Sequence, residues 1–180
     1  MFSLGNNRHE WAKAIIKQVK DQDIDHVILA ARWSGHYNNL NKTSAKAIDR
    51  FNTYLINTIY ALQDAGAVVW IFREVPRHSI SVPKLLIKRE VFGTNITQYI
   101  CSKEKLIKQN KNFDAMLSKL ELAGVKVLDA SDLLYNKDKR YYNIEYNGKA
   151  FYYDNQHLSK YGAEELYGTF TPVFQTYLKN

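Results

Sequence analysis

Near the end of the chain, Asp154 and His157 stand three residues apart in Tyr153-Asp154-Asn155-Gln156-His157-Leu158-Ser159-Lys160-Tyr161-Gly162-Ala163. A carboxylate placed this way, just ahead of a helix, lies on one side of a turn and accepts a hydrogen bond from one imidazole nitrogen. The other nitrogen is then left to act as a base. A serine hydroxyl attacks poorly until its proton is taken, and an oriented imidazole takes it. This is the orienter-plus-base arrangement that a serine nucleophile requires, with Asp154 as orienter and His157 as base. The spacing D-x-x-H is common by itself, so the elements that must hold the pair matter.

Those elements alternate. Trp11, Ala14, Ile15 and Val19 recur at helical spacing and predict a helix over 8–20. His26 to Ala31 is a continuous apolar run, expected of a strand covered on both faces. Trp33 to Asn41 reads as a loop. Thr43 or Ser44 caps the next helix, whose Ala47, Phe51, Leu55, Ile59 and Leu62 keep the helical period until Gly66. A second buried strand, Ala67 to Phe72, ends before Pro76, and residues 76–100 read as a long excursion. Ser102 caps a third helix with Leu106, Phe113, Met116, Leu117 and Leu120, and Val125 to Leu128 follows Gly124 as a third strand. This order predicts an α/β fold with helices packed on both faces of a mainly parallel sheet. Asn147-Gly148 suits a type I′ turn between Tyr141–Tyr146 and Lys149–Tyr153, and a last helix is expected from Ser159 to Leu178. No linker or repeat divides the 180 residues, so one domain is expected. Ligand sites of open α/β sheets lie beyond the carboxyl ends of the strands.

Composition excludes several classes. An apolar fraction of 46% with 13% aromatics is too high for a disordered chain, and the chain reads as soluble because no run approaches the length of a membrane span. The first residues lack the pattern of a secretory signal. Cys101 is the single cysteine, which excludes an internal disulfide and multi-cysteine metal sites. Asp21-x-Asp23-x-Asp25 opens like a calcium loop, but His26 stands where that loop needs glycine and Arg32 where it needs glutamate. No histidine pair has ligand spacing and no glycine-rich phosphate loop occurs, so neither metal nor cofactor is expected. The net charge of +7 is concentrated between Lys84 and Lys119, where eight basic residues face three acidic ones. Such a patch suits an anionic glycan or partner, whereas nucleic acid is disfavoured because no recognition motif accompanies the 13 tyrosines.

Asp154-x-x-His157-Leu158-Ser159-x-x-Gly162-Ala163, taken with Val27-Ile28-Leu29-Ala30-Ala31-Arg32-Trp33-Ser34, resembles the SGNH domain that follows acyltransferase-3 membrane domains in bacterial O-acetyltransferases of cell-surface glycans. The resemblance implies a three-layer α/β/α sandwich, flavodoxin-like and of the SGNH hydrolase type. It implies a Ser-His-Asp site that passes an acyl group, usually acetyl, to or from a sugar hydroxyl, with His157 as base and Asp154 as its orienter. Arg32, Trp33, Ser34, Tyr37 and Asn38 fall where such domains face substrate, and Asn38 or Asn39 is a candidate oxyanion donor. The implied partners are a carbohydrate, an acyl donor and a membrane acyltransferase domain encoded upstream, which would make the location periplasmic or otherwise extracytoplasmic.

One block is missing. These domains open with a strand running into Gly-Asp-Ser, whose serine is the nucleophile. The 31 residues before Arg32 contain a single serine, Ser3, with no Gly-Asp beside it. Ser34, in Trp33-Ser34-Gly35-His36, lacks the preceding glycine of a nucleophile elbow and reads as a loop hydroxyl. Two explanations stand: the first strand and nucleophile are encoded elsewhere, or this is a remnant that keeps base and orienter without a nucleophile. Loss of that strand would leave one side of the sheet unpaired.

Overall fold

The computed structural model of the chain describes residues 8–40 and 45–175, the side chains at 8, 9, 38 and 40 excepted. The elements are α1 (Arg8–Asp21), β1 (His26–Ala30), α2 (Trp33–Leu40), α3 (Ala45–Asp64), β2 (Val68–Phe72), α4 (Val82–Phe92), a 3₁₀ turn (Thr97–Tyr99), α5 (Lys103–Leu122) and β3 (Lys126–Leu128). They continue with α6 (Ser131–Leu134), β4 (Tyr135–Asn136), β5 (Tyr141–Tyr142), β6 (Glu145–Tyr146), β7 (Lys149–Ala150), α7 (Lys160–Glu165), a second 3₁₀ turn (Tyr167–Phe170) and α8 (Thr171–Phe174). β1, β2 and β3 form one sheet in that order, β1 and β2 running parallel from the pair His26–Val68 to the pair Ala30–Phe72. This is the expected α/β class, a mainly parallel sheet with helices around it. No described helix is long and apolar enough to cross a membrane. Two compact units are distinguishable, Met1–Phe72 with Asn112–Val127, and Arg73–Lys111 with Leu128–Asn180.

In the first unit, α3 turns Leu55, Ile59 and Leu62 inward and stops at Gly66, whose φ of +99° suits a residue without Cβ. Thr43 and Ser44, expected to cap α3, lie outside the described residues, as does Ser3. The segment read as a loop after β1 is helical as far as Leu40. Trp33 and Tyr37, four residues apart and so on one helix face, are both buried. Trp33 stacks flat on Phe113 at 5.0 Å and donates from Nε1 to the Phe72 carbonyl, while Tyr37 meets Phe51 edge-on and its hydroxyl donates to Asn52. Eight residues containing a glycine and two asparagines would not hold a helix alone; packing against distant aromatics holds this one.

β1 departs from expectation in its cover. β2 is buried through its centre, but β1 lies at the edge of the described sheet, with Ala30 exposed and Ile28 37% exposed. An open groove of about 430 Å³ runs beside it, lined by Ile28, Leu29, Ala30, Trp33, Tyr54 and Leu55 among others.

In the second unit, α4 occupies the middle of the expected excursion. Pro83 sits in its first turn and Gly93 ends it at φ +61°, donating its N–H to the Arg89 carbonyl. Its apolar residues surround the axis, with Val82 and Leu85 buried but Ile87, Val91 and Phe92 exposed, so no stripe announced it. Ser102 does cap α5, its Oγ accepting the Lys105 N–H at 3.3 Å. The expected turn is present, with Asn147 and Gly148 both at positive φ, but its hairpin is shorter than expected: Glu145 pairs with Ala150 and Tyr146 with Lys149, while Tyr141 and Tyr142 pair instead with Asn136 and Tyr135. The single last helix is instead α7, a 3₁₀ turn and α8. Gly168 weakens the middle of the run, and Pro172, which cannot donate to a preceding turn, starts a new helix. Leu178 lies outside the described residues.

Candidate active site

The hairpin β6–β7 delivers the chain into a narrow loop. Tyr152 bridges Leu158, the Tyr153 N–H donates to the His157 carbonyl at 2.8 Å, and the Ser159 N–H donates to the Phe151 carbonyl at 2.8 Å. Asp154, Asn155 and Gln156 form the tip. One carboxylate oxygen of Asp154, Oδ1, accepts the backbone N–H groups of Gln156 at 2.7 Å and His157 at 2.8 Å, a local bond pattern natural to aspartate in turns. The other, Oδ2, lies 2.6 Å from His157 Nδ1. The same carboxylate therefore folds the tip and orients the ring. The donors from His157, backbone first and then side chain, hold the Asp154 carboxyl down to about 2, so it is ionised at neutral pH. Facing an ionised acceptor, Nδ1 of the neutral ring carries the proton and Nε2 presents a lone pair.

The start of α7 fixes this loop from one side. The Ser159 hydroxyl donates to the Ala150 carbonyl at 2.6 Å and accepts the Gly162 N–H at 3.2 Å. At Gly162 a Cβ would stand 2.1 Å from the Phe151 carbonyl oxygen, so only glycine lets helix and loop approach this closely. The run from Asp154 to Gly162 is thus one folded piece.

Residues 78–82 fix it from the other side. The His78 N–H donates to the Asn155 carbonyl at 2.9 Å, Asn155 Nδ2 returns a bond to the His78 carbonyl at 3.2 Å, and the Val82 N–H donates to the Asp154 carbonyl at 2.8 Å. The His78 ring is buried, accepts the Cys101 N–H on Nδ1 at 3.1 Å and stands edge-on to Tyr152 at 4.7 Å. Burial, helped by the Lys105 charge, lowers its pKa to about 4. The unfolded ring takes a proton near 6.5 and the folded one resists until about 4, so stability held above the upper value is lost between the two. The full gap corresponds to about 3 kcal/mol. We expect the urea midpoint to fall between pH 7 and pH 4.5, and that fall to be much smaller in His78→Asn. Equal pH dependence in the two proteins would refute the assignment.

The remaining expected residues divide. Arg32 is exposed at the carboxyl end of β1, its side chain lying over Gly35, where a Cβ would meet Nε at 2.6 Å. Trp33, Ser34 and Tyr37 lie within α2 and are 5%, 7% and 3% exposed. Asn38 falls among the side chains outside the described set, and Asn39 is exposed. The structure brings Asp154 and His157 together. Reading the sequence missed the backing from His78 and Asn155, which no local spacing signals. In the basic segment Arg89 pairs with Glu90 and Glu145, Lys103 lies 5.7 Å from the Tyr135 ring, and Lys105 donates to the Gln98 and Ile100 carbonyls.

A mainly parallel sheet wrapped by helices, with an aspartate–histidine pair on the loop ahead of the last helices, is an α/β arrangement of the SGNH type. The chain belongs to the family described as SGNH domain (fused to AT3 domains), whose model matches residues 4–172. Among solved structures it is similar to the periplasmic domain of a lipopolysaccharide acetyltransferase from Salmonella serovar Paratyphi A, with a TM-score of 0.61 at 16% identity. That similarity covers 90% of this chain and 61% of the other, and it shows a shared fold. No curated protein matches the sequence.

Proposed function

We propose that this chain is the base-bearing part of a single SGNH domain that moves an acyl group, most simply acetyl, to or from a hydroxyl of a bacterial surface glycan. The observation that carries the reading is the 2.6 Å contact between Asp154 Oδ2 and His157 Nδ1, with Oδ1 tied by two backbone N–H groups. In the proposed reaction His157 Nε2 accepts the proton of a serine hydroxyl as its oxygen attacks the acyl carbonyl. When the tetrahedral species collapses, the same nitrogen returns the proton to the leaving sugar oxygen. In this reading the serine is supplied by a segment outside this sequence. A membrane acyltransferase domain as partner, an acyl donor and an extracytoplasmic location go with the family. Arg32, Trp33, Ser34, Tyr37 and Asn38 are the proposed substrate-facing residues, with Asn38 or Asn39 as oxyanion donor.

The other reading, a non-catalytic module holding an anionic glycan on the basic segment, is less well supported, because Arg89, Lys103 and Lys105 are already engaged within the protein. The test is to join the reading frame upstream of Met1 to this chain and assay acetyl release from a chromogenic ester. Release by the joined protein that falls to background in His157→Ala is expected. Equal rates in the two, or no release at all, would overturn the proposal.

A further inference from the structure

Tyrosine is abundant here, and six tyrosines are exposed among the described residues: Tyr54, Tyr60, Tyr146, Tyr153, Tyr161 and Tyr167. One of them stands in a place set by the loop geometry. Tyr152 and Leu158 are bridge partners, so Tyr153 and His157 lie opposite each other one step nearer the tip, joined by the 2.8 Å bond from the Tyr153 N–H to the His157 carbonyl. Opposed residues of an antiparallel pair put their side chains on the same face, with Cβ atoms about 5 Å apart. Alternation sends Tyr152, which is buried, to the other face. Tyr153 and the His157 side chain are each 70% exposed, so both are open to solvent at the neck of the same loop.

The Tyr153 side chain makes no hydrogen bond or ring contact with any described residue, whereas the nearby Tyr161 ring is taken by Lys149, whose Nζ lies 4.7 Å from its centroid. Gln156, on the same tip, likewise leaves its side-chain amide without a hydrogen bond among the described residues.

We infer that Tyr153 is a stacking platform for a pyranose ring of the glycan, which it holds with the reacting rim oxygen toward His157 Nε2. A pyranose has a C–H face that an aromatic ring covers well and a rim of hydroxyls that the covered face leaves accessible. A platform next to the base fixes which rim faces the imidazole, and Gln156 supplies an amide to a neighbouring hydroxyl. The inference rests on the acyl-transfer reading and names its substrate class as a neutral sugar face rather than a charged group.

The test uses the chain itself and a set of probes: methyl pyranosides of glucose, galactose, mannose, rhamnose and N-acetylglucosamine. Saturation transfer from the Tyr153 ring to the sugar C–H protons and shifts of the Tyr153 ring resonances are read by NMR. At least one probe is expected to show both. Tyr153→Phe keeps the affinity within about twofold, and Tyr153→Ala weakens it about tenfold, the scale of losing one stacking ring. Tyr146→Ala, which removes an exposed ring from the hairpin turn, leaves it unchanged. If no probe touches the Tyr153 ring, or if binding survives Tyr153→Ala, the inference fails. The two proposals separate cleanly. Stacking on Tyr153 without ester turnover in the joined protein sinks the catalytic reading alone, and turnover without stacking sinks the platform alone.

Discussion

Asp154→Asn is expected to lower kcat of the joined protein by roughly 10³- to 10⁴-fold while the fold survives. The amide keeps the size of the carboxylate, and its oxygen still accepts the N–H groups of Gln156 and His157 that close the loop. At the position of Oδ2, however, an NH₂ now faces His157 Nδ1. Two donors cannot share that contact, so the ring places its proton on Nε2 and the lone pair meant for the hydroxyl disappears. The same change removes the negative charge that stabilises the imidazolium formed during attack. Two measurements check this: kcat near pH 7.5, and the ¹⁵N shifts of the His157 ring, which should move from an Nδ1–H to an Nε2–H pattern. Activity within tenfold of the parent protein would show that the carboxylate does not orient the base.

Gly162→Ala should produce the largest loss of stability of any single methyl added to this loop. Its Cβ would stand 2.1 Å from the Phe151 carbonyl oxygen and 2.9 Å from the carbonyl carbon, and backbone cannot swing away as a flexible side chain does. Relief requires α7 to withdraw from the loop, which breaks the Ser159 cap and the bond from the Ser159 N–H to Phe151. Overpacking of this kind costs about 3 kcal/mol or more, or roughly 6 to 12 °C in Tm for a chain of this size. Differential scanning calorimetry measures it directly. A shift of less than about 2 °C would mean that the approach of α7 to Phe151 is looser than described.

Much of the fold was legible because its signals are local. The stripe Leu55, Ile59 and Leu62, the runs that became β1 and β2, the Ser102 cap and the Asn147-Gly148 turn each depend on residues within a few positions of one another. Where reading failed, the deciding partner was far away or the pattern had no face. α2 is helical because Trp33 meets Phe113, and α4 hides because apolar residues surround it. The candidate site divides the same way. Asp154 and His157 were readable since three residues separate them. The burial of Trp33 and Tyr37 was not readable, because either ring suits a sugar as well as a hydrophobic interior.

The two bonds between His78 and Asn155 join positions 77 residues apart. Closing so long a stretch carries an entropic cost that short turns do not, and nothing near Asp154 in sequence replaces those bonds. Loosening the segment around His78 is therefore expected to unseat the loop that carries the aspartate and histidine, although neither bond touches their side chains.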